Sequence, residues 1–292
     1  MNFEEQYQKI SNLVSDDLLK VEGELKSEIK VYPAVNPFLE KFLTGKSKRI
    51  RPTSAFLYLR ANGFEPDNSH YILQSAIEII HNASLLHDDV IDECSTRRGN
   101  ITLNKEFNNK TAVLCGDYLL SSALDKLNRL NNSKITAMCA ETMREMCKGE
   151  IFQDFMKGKI PTLEEYLTKT KQKTAGLFRT AIEGAMLLSG AENTTQAAEF
   201  ATNFGIAFQI RDDLLNILKT DALKPSNNDI KCGIYNAPVI FAGNTADLMQ
   251  GIEKTKTLLN NYVVKSQRIL DNFADNPYKT ALGELLGILN NA

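Results

Sequence analysis

The segment His81-Asn82-Ala83-Ser84-Leu85-Leu86-His87-Asp88-Asp89-Val90-Ile91-Asp92 carries the densest chemistry in the chain. On a helix, Asp88 and Asp92 stand four residues apart and project from one face. Two carboxylates so placed repel each other, by roughly a few tenths of a kcal/mol on an exposed helix and more when partly buried. A hard divalent cation such as magnesium, which takes oxygen ligands and brings phosphate with it, would offset that repulsion. A solvated helix end is the alternative for any lone D-x-x-x-D. Here the acids close a strongly apolar helix, and Arg97-Arg98 follow just before Gly99. Guanidinium groups a few residues beyond a metal-binding acidic face suit a diphosphate, whose oxygens are shared between metal and arginine forks.

A second acidic cluster lies far along the chain, at Phe208-Gln209-Ile210-Arg211-Asp212-Asp213-Leu214-Leu215-Asn216. Helical spacing pairs Asp212 with Asn216 and turns Asp213 another way. Two acidic faces on different long helices of a bundle can line opposite walls of one cavity. A third cluster, Gly45-Lys46-Ser47-Lys48-Arg49-Ile50-Arg51-Pro52, packs four bases into six residues and lacks the glycine pattern of a P-loop. By itself it reads as a solvated basic turn or a nonspecific anionic patch.

The elements that must position these groups are helical. Residues 71–92, 111–130, 135–155 and 196–218 carry apolar side chains at three- and four-residue spacings, and strand-like alternation is hard to find. Breaks fall at Pro33 and Pro37, then at 63–69, 96–100, 158–161 and 224–238. The expected fold is all-α: one domain over residues 1–292, built of long antiparallel helices around a central cavity. With 292 residues, 43% hydrophobic and 24% charged, the chain can bury a substantial core. A net charge of −2 gives no attraction to nucleic acid, so an anionic substrate needs a local cluster of bases. Five cysteines without a C-x-x-C pair favour reduced thiols, and no apolar run approaches the ~20 residues of a membrane span. The acidic N-terminus has no apolar h-region, so a cytoplasmic protein is expected. Amphipathic helices of this length also suit pairing between subunits, and a homodimer is expected.

Taken together, the segments resemble the trans-prenyltransferases, or polyprenyl synthetases, and most of all the bacterial long-chain, octaprenyl-type members. The likeness is collinear from Gly45 to Pro238. It runs through Lys48-Arg49-Ile50-Arg51-Pro52, the D-D-x-x-D of Asp88 to Asp92, Arg97-Arg98-Gly99 and Gly116-Asp117-Tyr118. It continues through Gly149-Glu150-Ile151, Lys173-Thr174-Ala175 and Phe208-Gln209 with Asp212-Asp213. The resemblance implies an isoprenoid-synthase bundle that condenses isopentenyl diphosphate with an allylic diphosphate, farnesyl diphosphate being the expected starter. It implies that Lys48, Arg51, His81 and Arg98 grip the isopentenyl diphosphate. Asp88, Asp92 and Asp212 would hold magnesium, three ions with substrate bound, while Arg97 and Lys173 add positive charge. Thr174 and Gln209 would face the allylic carbocation. His81 has a core reading beside this one, and His87 is read as a neighbour of the site only. Asp117 is read as an organiser through hydrogen bonds.

Two positions depart from the pattern. Asn216 stands where the second acidic motif usually ends in Asp, which implies weaker binding of the third ion. Ile234 stands where the family carries a lysine, with Lys231 or Lys224 as substitutes. For product length, the family's short-chain members place an aromatic four or five residues before the first acidic motif. Here Ser84 and Ala83 hold those positions, with Ile80 and Ala76 a turn further back, so a long product of about octaprenyl size is expected. Release of so apolar a product leaves transient membrane contact open. The competing readings are a geranylgeranyl or farnesyl diphosphate synthase, a terpene cyclase, a non-catalytic subunit and a purely structural bundle. A cyclase has no need of the Lys48/Arg51 cluster.

Overall fold

A computed structural model of the chain describes residues 3–27, 30–45, 47–97, 99–218 and 228–291. The chain is all-α. Its first half contains α1 (Phe3–Asn12), α2 (Ser15–Lys26), α3 (Asn36–Thr44), α4 (Ile50–Ala61), α5 (Asn68–Ile91), α6 (Leu103–Glu106) and α7 (Asn109–Arg129). The second half contains α8 (Ser133–Phe155), α9 (Leu163–Thr170), α10 (Gly176–Leu188), α11 (Thr195–Leu218), α12 (Asn228–Lys231), α13 (Ala237–Ala242), α14 (Met249–Leu270) and α15 (Pro277–Asn290). The four helices expected from periodicity appear as α5, α7, α8 and α11, each shifted by no more than a few residues. The expectation of no strand needs one small correction. Thr96–Arg97 (β1) and Asn100–Ile101 (β2) pair antiparallel, Thr96 opposite Ile101, around Gly99 at φ +75°. A positive φ is where glycine escapes the Cβ clash, so Gly99 lets the chain reverse directly after α5.

α5 sits centrally because it is apolar nearly all round. From Leu73 to Ile80 every residue is buried, Gln74, Ser75 and Glu78 included. A helix buried on all faces needs neighbours on all faces. α7 packs along it on one side, and α2 and α10 on others. Asp67 caps its first turn, accepting from the Ser69 N–H at 2.9 Å, which satisfies an orphan donor of that turn. α10 and α11 form a helical hairpin across the short turn 189–194, and α11 in turn packs on α14.

An aromatic seam joins these layers. Phe178 of α10 lies 5.3 Å from Phe204 and 5.4 Å from Phe208 of α11, and Phe200 meets Tyr58 of α4 at 4.9 Å. Each such buried ring contributes about 1.5–3 kcal/mol through removal from water. The seam therefore fixes α4, α10 and α11 against one another, and these helices carry two of the three charged clusters or their flanks. Among the described residues no helix is long and apolar enough to cross a membrane.

Candidate active site

Asp88, Asp89 and Asp92 stand at the C-terminal end of α5, where the helix dipole is already negative. Acids are unfavourable there, and the fold adds to the conflict. Burial, then the charge of Glu150 on α8, push the Asp88 carboxyl up to about 6, against the opposing pull of Lys173 and Arg97. Asp92 caps the helix with its N–H on the Asp88 carbonyl at 2.8 Å, so the two acids keep the one-turn spacing read from the sequence. Asp89 turns the other way into the protein, where its Oδ1 accepts from Arg97 Nε at 2.6 Å. Asn104 secures the turn by donating to the Asp89 carbonyl at 3.1 Å. Arg97 is thus anchored beside the acidic face. Arg98 lies outside the described residues, as do Lys46 and Lys224.

Facing α5, the run from α9 into α10 is interrupted by a π-helical turn at Lys171–Ala175. Such turns insert a residue into a helix and re-aim its side chains. Here consecutive residues reach two different helices. Lys173 pairs with Glu150 of α8, and Thr174 donates to Gln209 Oε1 of α11 at 2.7 Å. Two glycines permit the approach. A Cβ on Gly149 would sit 2.8 Å from the Lys173 side chain, and one on Gly205 would sit 2.6 Å from the Ala175 Cα. Gly205 therefore lets α11 touch the π turn, and Gln209 follows one helical turn later.

The second acidic motif divides as its spacing implied. Asp212 is exposed on α11. Asp213 is buried, accepting from Gln209 Nε2 at 2.8 Å and from the Tyr166 hydroxyl of α9 at 2.6 Å. Burial pushes its carboxyl up to about 7, opposed by Lys169 and these two hydrogen bonds. The charge of Lys173 acts on Asp88, and from the next residue, Thr174, hydrogen bonds run through Gln209 to Asp213. The two acidic motifs lie on either side of the π turn.

The basic cluster before α4 splits into three roles. Lys48 is exposed, with its Nζ 4.3 Å from the centre of the Phe3 ring. Arg211 stacks on the same ring at 4.2 Å, so Phe3 brings the basic turn next to the second acidic motif. Arg51 is buried, its guanidinium 4.9 Å from the centre of the Phe178 ring. Arg49 faces inward to Glu22 and Glu78. His81 is half-buried on α5, with the Ser84 hydroxyl on its carbonyl at 2.9 Å. That bond consumes the one polar group of Ser84. Ala83 and Ile80 are buried in the same helix, at 0% and 2% exposure, so this wall is apolar and free of aromatic bulk. His87 lies 3.4 Å from Asp117 and takes no part in the Asp88 contacts described above.

The donor set fits a hard cation. Asp88 and Asp92 offer carboxylate oxygens on one face, and Glu150 adds negative charge beside them. Among the described residues no three His, Cys, Asp or Glu side chains converge tightly enough to hold a metal alone. That suits magnesium, which binds through one or two carboxylates and takes its other ligands from water and phosphate. Sequence reading passed over Glu150, Tyr166 and Lys169 as site residues. Glu150 had a signal in Gly149-Glu150-Ile151, but Tyr166 and Lys169 carry none. At the Ile234 departure, Lys231 is exposed, and Lys159 and Lys169 line the same pocket as Ile234, Lys169 of α9 donating to Asn236 Oδ1 at 3.0 Å.

The family model described as Polyprenyl synthetase matches residues 33–271. The decaprenyl-diphosphate synthase of Dictyostelium discoideum is 36% identical over 231 residues, covering 78% of this chain and 50% of that protein. The chain therefore spans about half the length of that relative. The crystal structure of a decaprenyl diphosphate synthase from Rhodobacter capsulatus superposes with a TM-score of 0.88 at 25% identity, covering 98% of each chain. The polyprenyl synthase of Caulobacter crescentus, solved with calcium and isoprenyl diphosphate, gives 0.87 at 25% identity, again covering 98% of each. A match over most of the chain, with both acidic motifs meeting at one π turn, leaves one conclusion: the chain belongs to the polyprenyl synthetase family.

Proposed function

We propose that the chain is a magnesium-dependent trans-prenyltransferase that adds isopentenyl diphosphate to an allylic diphosphate, farnesyl diphosphate first, until a long product of about octaprenyl size is made. The observation that carries this reading is the meeting of Asp88, Lys173 and Glu150 on one side of residues 171–175 with Thr174, Gln209 and Asp213 on the other. Ionisation breaks the allylic C–O bond, and the electron pair leaves on the diphosphate. Asp88, Asp92 and Asp212 would hold magnesium, which would supply positive charge to that leaving group. Lys173 and Arg97 add fixed positive charge, which acts most strongly in a site shielded from water. The homoallylic double bond then attacks the cation, a carbon–carbon bond forms, and a proton departs to the released diphosphate. Lys48, Arg51, His81 and Arg98 hold the second diphosphate, and the oxygens of Thr174 and Gln209 face the cation. Asn216 in place of Asp fits a weaker third magnesium site.

The first test is incubation of the purified protein with farnesyl diphosphate, labelled isopentenyl diphosphate and magnesium, with and without chelator. A magnesium-dependent ladder ending at a defined long product is expected. Absence of product with folded protein and several allylic starters would overturn the reading and favour a non-catalytic subunit. A ladder ending at geranylgeranyl diphosphate would keep the reaction and remove the long-chain assignment.

Chain length rests on Ala83, Ser84 and Ile80, which leave the wall of α5 without aromatic bulk. Ala83→Tyr is expected to shorten the products by several isoprene units at unchanged first-condensation rate. An unchanged length distribution on chromatography would remove Ala83 from the tunnel. For assembly, the exposed apolar side chains Val113, Leu114 and Leu124 on α7 favour a homodimer that pairs this helix across subunits. The free thiols of all five cysteines suit a cytoplasmic setting, and release of the product fits brief contact with a membrane.

A further inference from the structure

We infer that Tyr166 and Asp213 are positioning residues: together they fix the direction of a hydrogen-bond chain that turns the oxygens of Gln209 and Thr174 towards the reacting carbon. The inference rests on the function proposed above. Its basis is a buried chain with a defined polarity. Tyr166 is fully buried on α9, and its hydroxyl donates to Asp213 Oδ2 at 2.6 Å. Asp213, 3% exposed, receives Gln209 Nε2 on its other oxygen at 2.8 Å. Both Asp213 oxygens accept, Oδ2 from Tyr166 and Oδ1 from the amide nitrogen, so Gln209 presents its oxygen to the far side. There Gln209 Oε1 accepts the single Thr174 hydroxyl proton at 2.7 Å.

The polarity of the chain decides which charges meet the substrate. With its proton committed to Gln209, Thr174 Oγ1 has only lone pairs left to direct elsewhere. Gln209 Oε1 keeps a second lone pair as well. Oxygen lone pairs stabilise a neighbouring carbocation. A reversed amide would place N–H groups beside Thr174 and oppose the cation. Buried dipoles held in advance need no reorganisation as the charge forms, which is where their effect on rate arises. Lys169 supports the arrangement from the same helix as Tyr166. It is tied to Asn236 at 3.0 Å, which in turn donates to Asp229 at 2.9 Å, and its charge offsets that of Asp213.

A mutant cycle on the full chain tests the assignment. The rate of the first condensation is measured in a single turnover with saturating farnesyl and isopentenyl diphosphates, so that product release does not mask it. Tyr166→Phe keeps the ring and deletes only the hydroxyl. It is expected to lower this rate by roughly tenfold, with KM for both diphosphates within about twofold of wild type. In a background carrying both Thr174→Val and Gln209→Met the same substitution is expected to have less than about a twofold effect, because both groups it positions are already gone. An equal loss in both backgrounds, or a rise in KM at unchanged rate, would overturn the positioning role. Should Tyr166→Phe fail to fold, Asp213→Asn takes its place in the cycle, since it removes the charge that sets the direction of the amide. A wild-type protein that makes no product overturns the proposed function itself. An active wild type with multiplicative variants overturns only the roles of Tyr166 and Asp213.

Discussion

Asp88→Ala is expected to lower turnover by about a thousandfold while leaving the helical bundle intact. Asp88 is the acid at which the charges of the proposed site meet, since Glu150, Lys173, Arg97 and Asp92 all act on it. Its removal takes away a proposed ligand for magnesium and leaves the Lys173–Glu150 ion pair without the neighbouring acid. Arg97 is held by Asp89 through a separate bond, so the turn after α5 keeps its shape. The same position makes an opposite forecast for stability. The Asp88 carboxyl stands at about 6 in the folded chain against an ordinary value of 3.8. A raised carboxyl favours the protonated form, so its ionisation costs stability. That cost is absent below the ordinary value, grows as pH rises through the interval and is complete above about 6. Its ceiling is about 3 kcal/mol, and solvent at a half-buried site reduces it to about 1 kcal/mol. Asp88→Asn, which keeps the shape, is therefore expected to make the metal-free protein more stable at neutral pH and no more stable at pH 4. Denaturant titration at the two pH values measures this, and a loss of stability at neutral pH would contradict it. A residue whose removal strengthens the empty fold and ends turnover is placed for a ligand.

The parts of the molecule that the sequence discloses are those in which spacing alone decides geometry. The one-turn relation of Asp88 to Asp92 and the inward turn of Asp89 follow from helical period, as does the separation of exposed Asp212 from buried Asp213. α7 and α8 show stripes because one side of each faces solvent. α4 shows none, since every residue from Ile50 to Leu59 is buried, and a helix covered on all sides has no polar face to give the period away. α14 does carry a readable stripe in Ile252, Thr255, Leu259, Val263 and Ser266, but no chemistry on it draws attention. What remained hidden depends on contacts between distant segments. Tyr166 and Asp213 are 47 residues apart, and nothing local to either implies the other. The π turn is equally illegible, because nothing in the residue types of Lys171–Ala175 marks it, and the glycines that make room for it, Gly149 and Gly205, lie on other helices. The departure at Ile234 shows the same limit. Sequence proximity points to Lys231 or Lys224, of which Lys224 lies outside the described residues, while the fold also brings Lys159 and Lys169 near Ile234, which nothing local to Ile234 discloses.

Arg49→Ala is expected to destabilise the protein by about 3–5 kcal/mol, the largest stability loss of any substitution considered. In the sequence Arg49 is one of four bases in a single turn and has no feature to separate it from Lys48 or Arg51. In the fold it is 6% exposed. Its Nε meets Glu22 of α2 at 2.6 Å, its Nη1 meets Glu78 of α5 at 2.8 Å, and its Nη2 bonds the Leu43 carbonyl at the end of α3. One guanidinium thus ties three helices to the start of α4. Glu78 is 2% exposed, so removing the arginine leaves a buried carboxylate without its partner, and that desolvated charge is the main source of the loss. The double variant Arg49→Met with Glu78→Gln removes both charges and is expected to recover most of the stability. A single variant within about 1 kcal/mol of wild type in urea unfolding would overturn this account. The consequence for activity follows from the backbone. Arg49 adopts φ +47°, a left-handed conformation costing about 1–3 kcal/mol in a non-glycine residue, and it persists because the three contacts hold it. That conformation sets the direction in which Lys48 and Arg51 leave the chain on either side. The Tyr7 hydroxyl of α1 supports the same turn by donating to the Lys48 carbonyl. Arg49→Ala should therefore raise KM for isopentenyl diphosphate more than for the allylic substrate, because the proposed allylic site lies at the C-terminal end of α5, the π turn and α11, and Arg49 meets α5 only at Glu78, well before Asp88 in that helix.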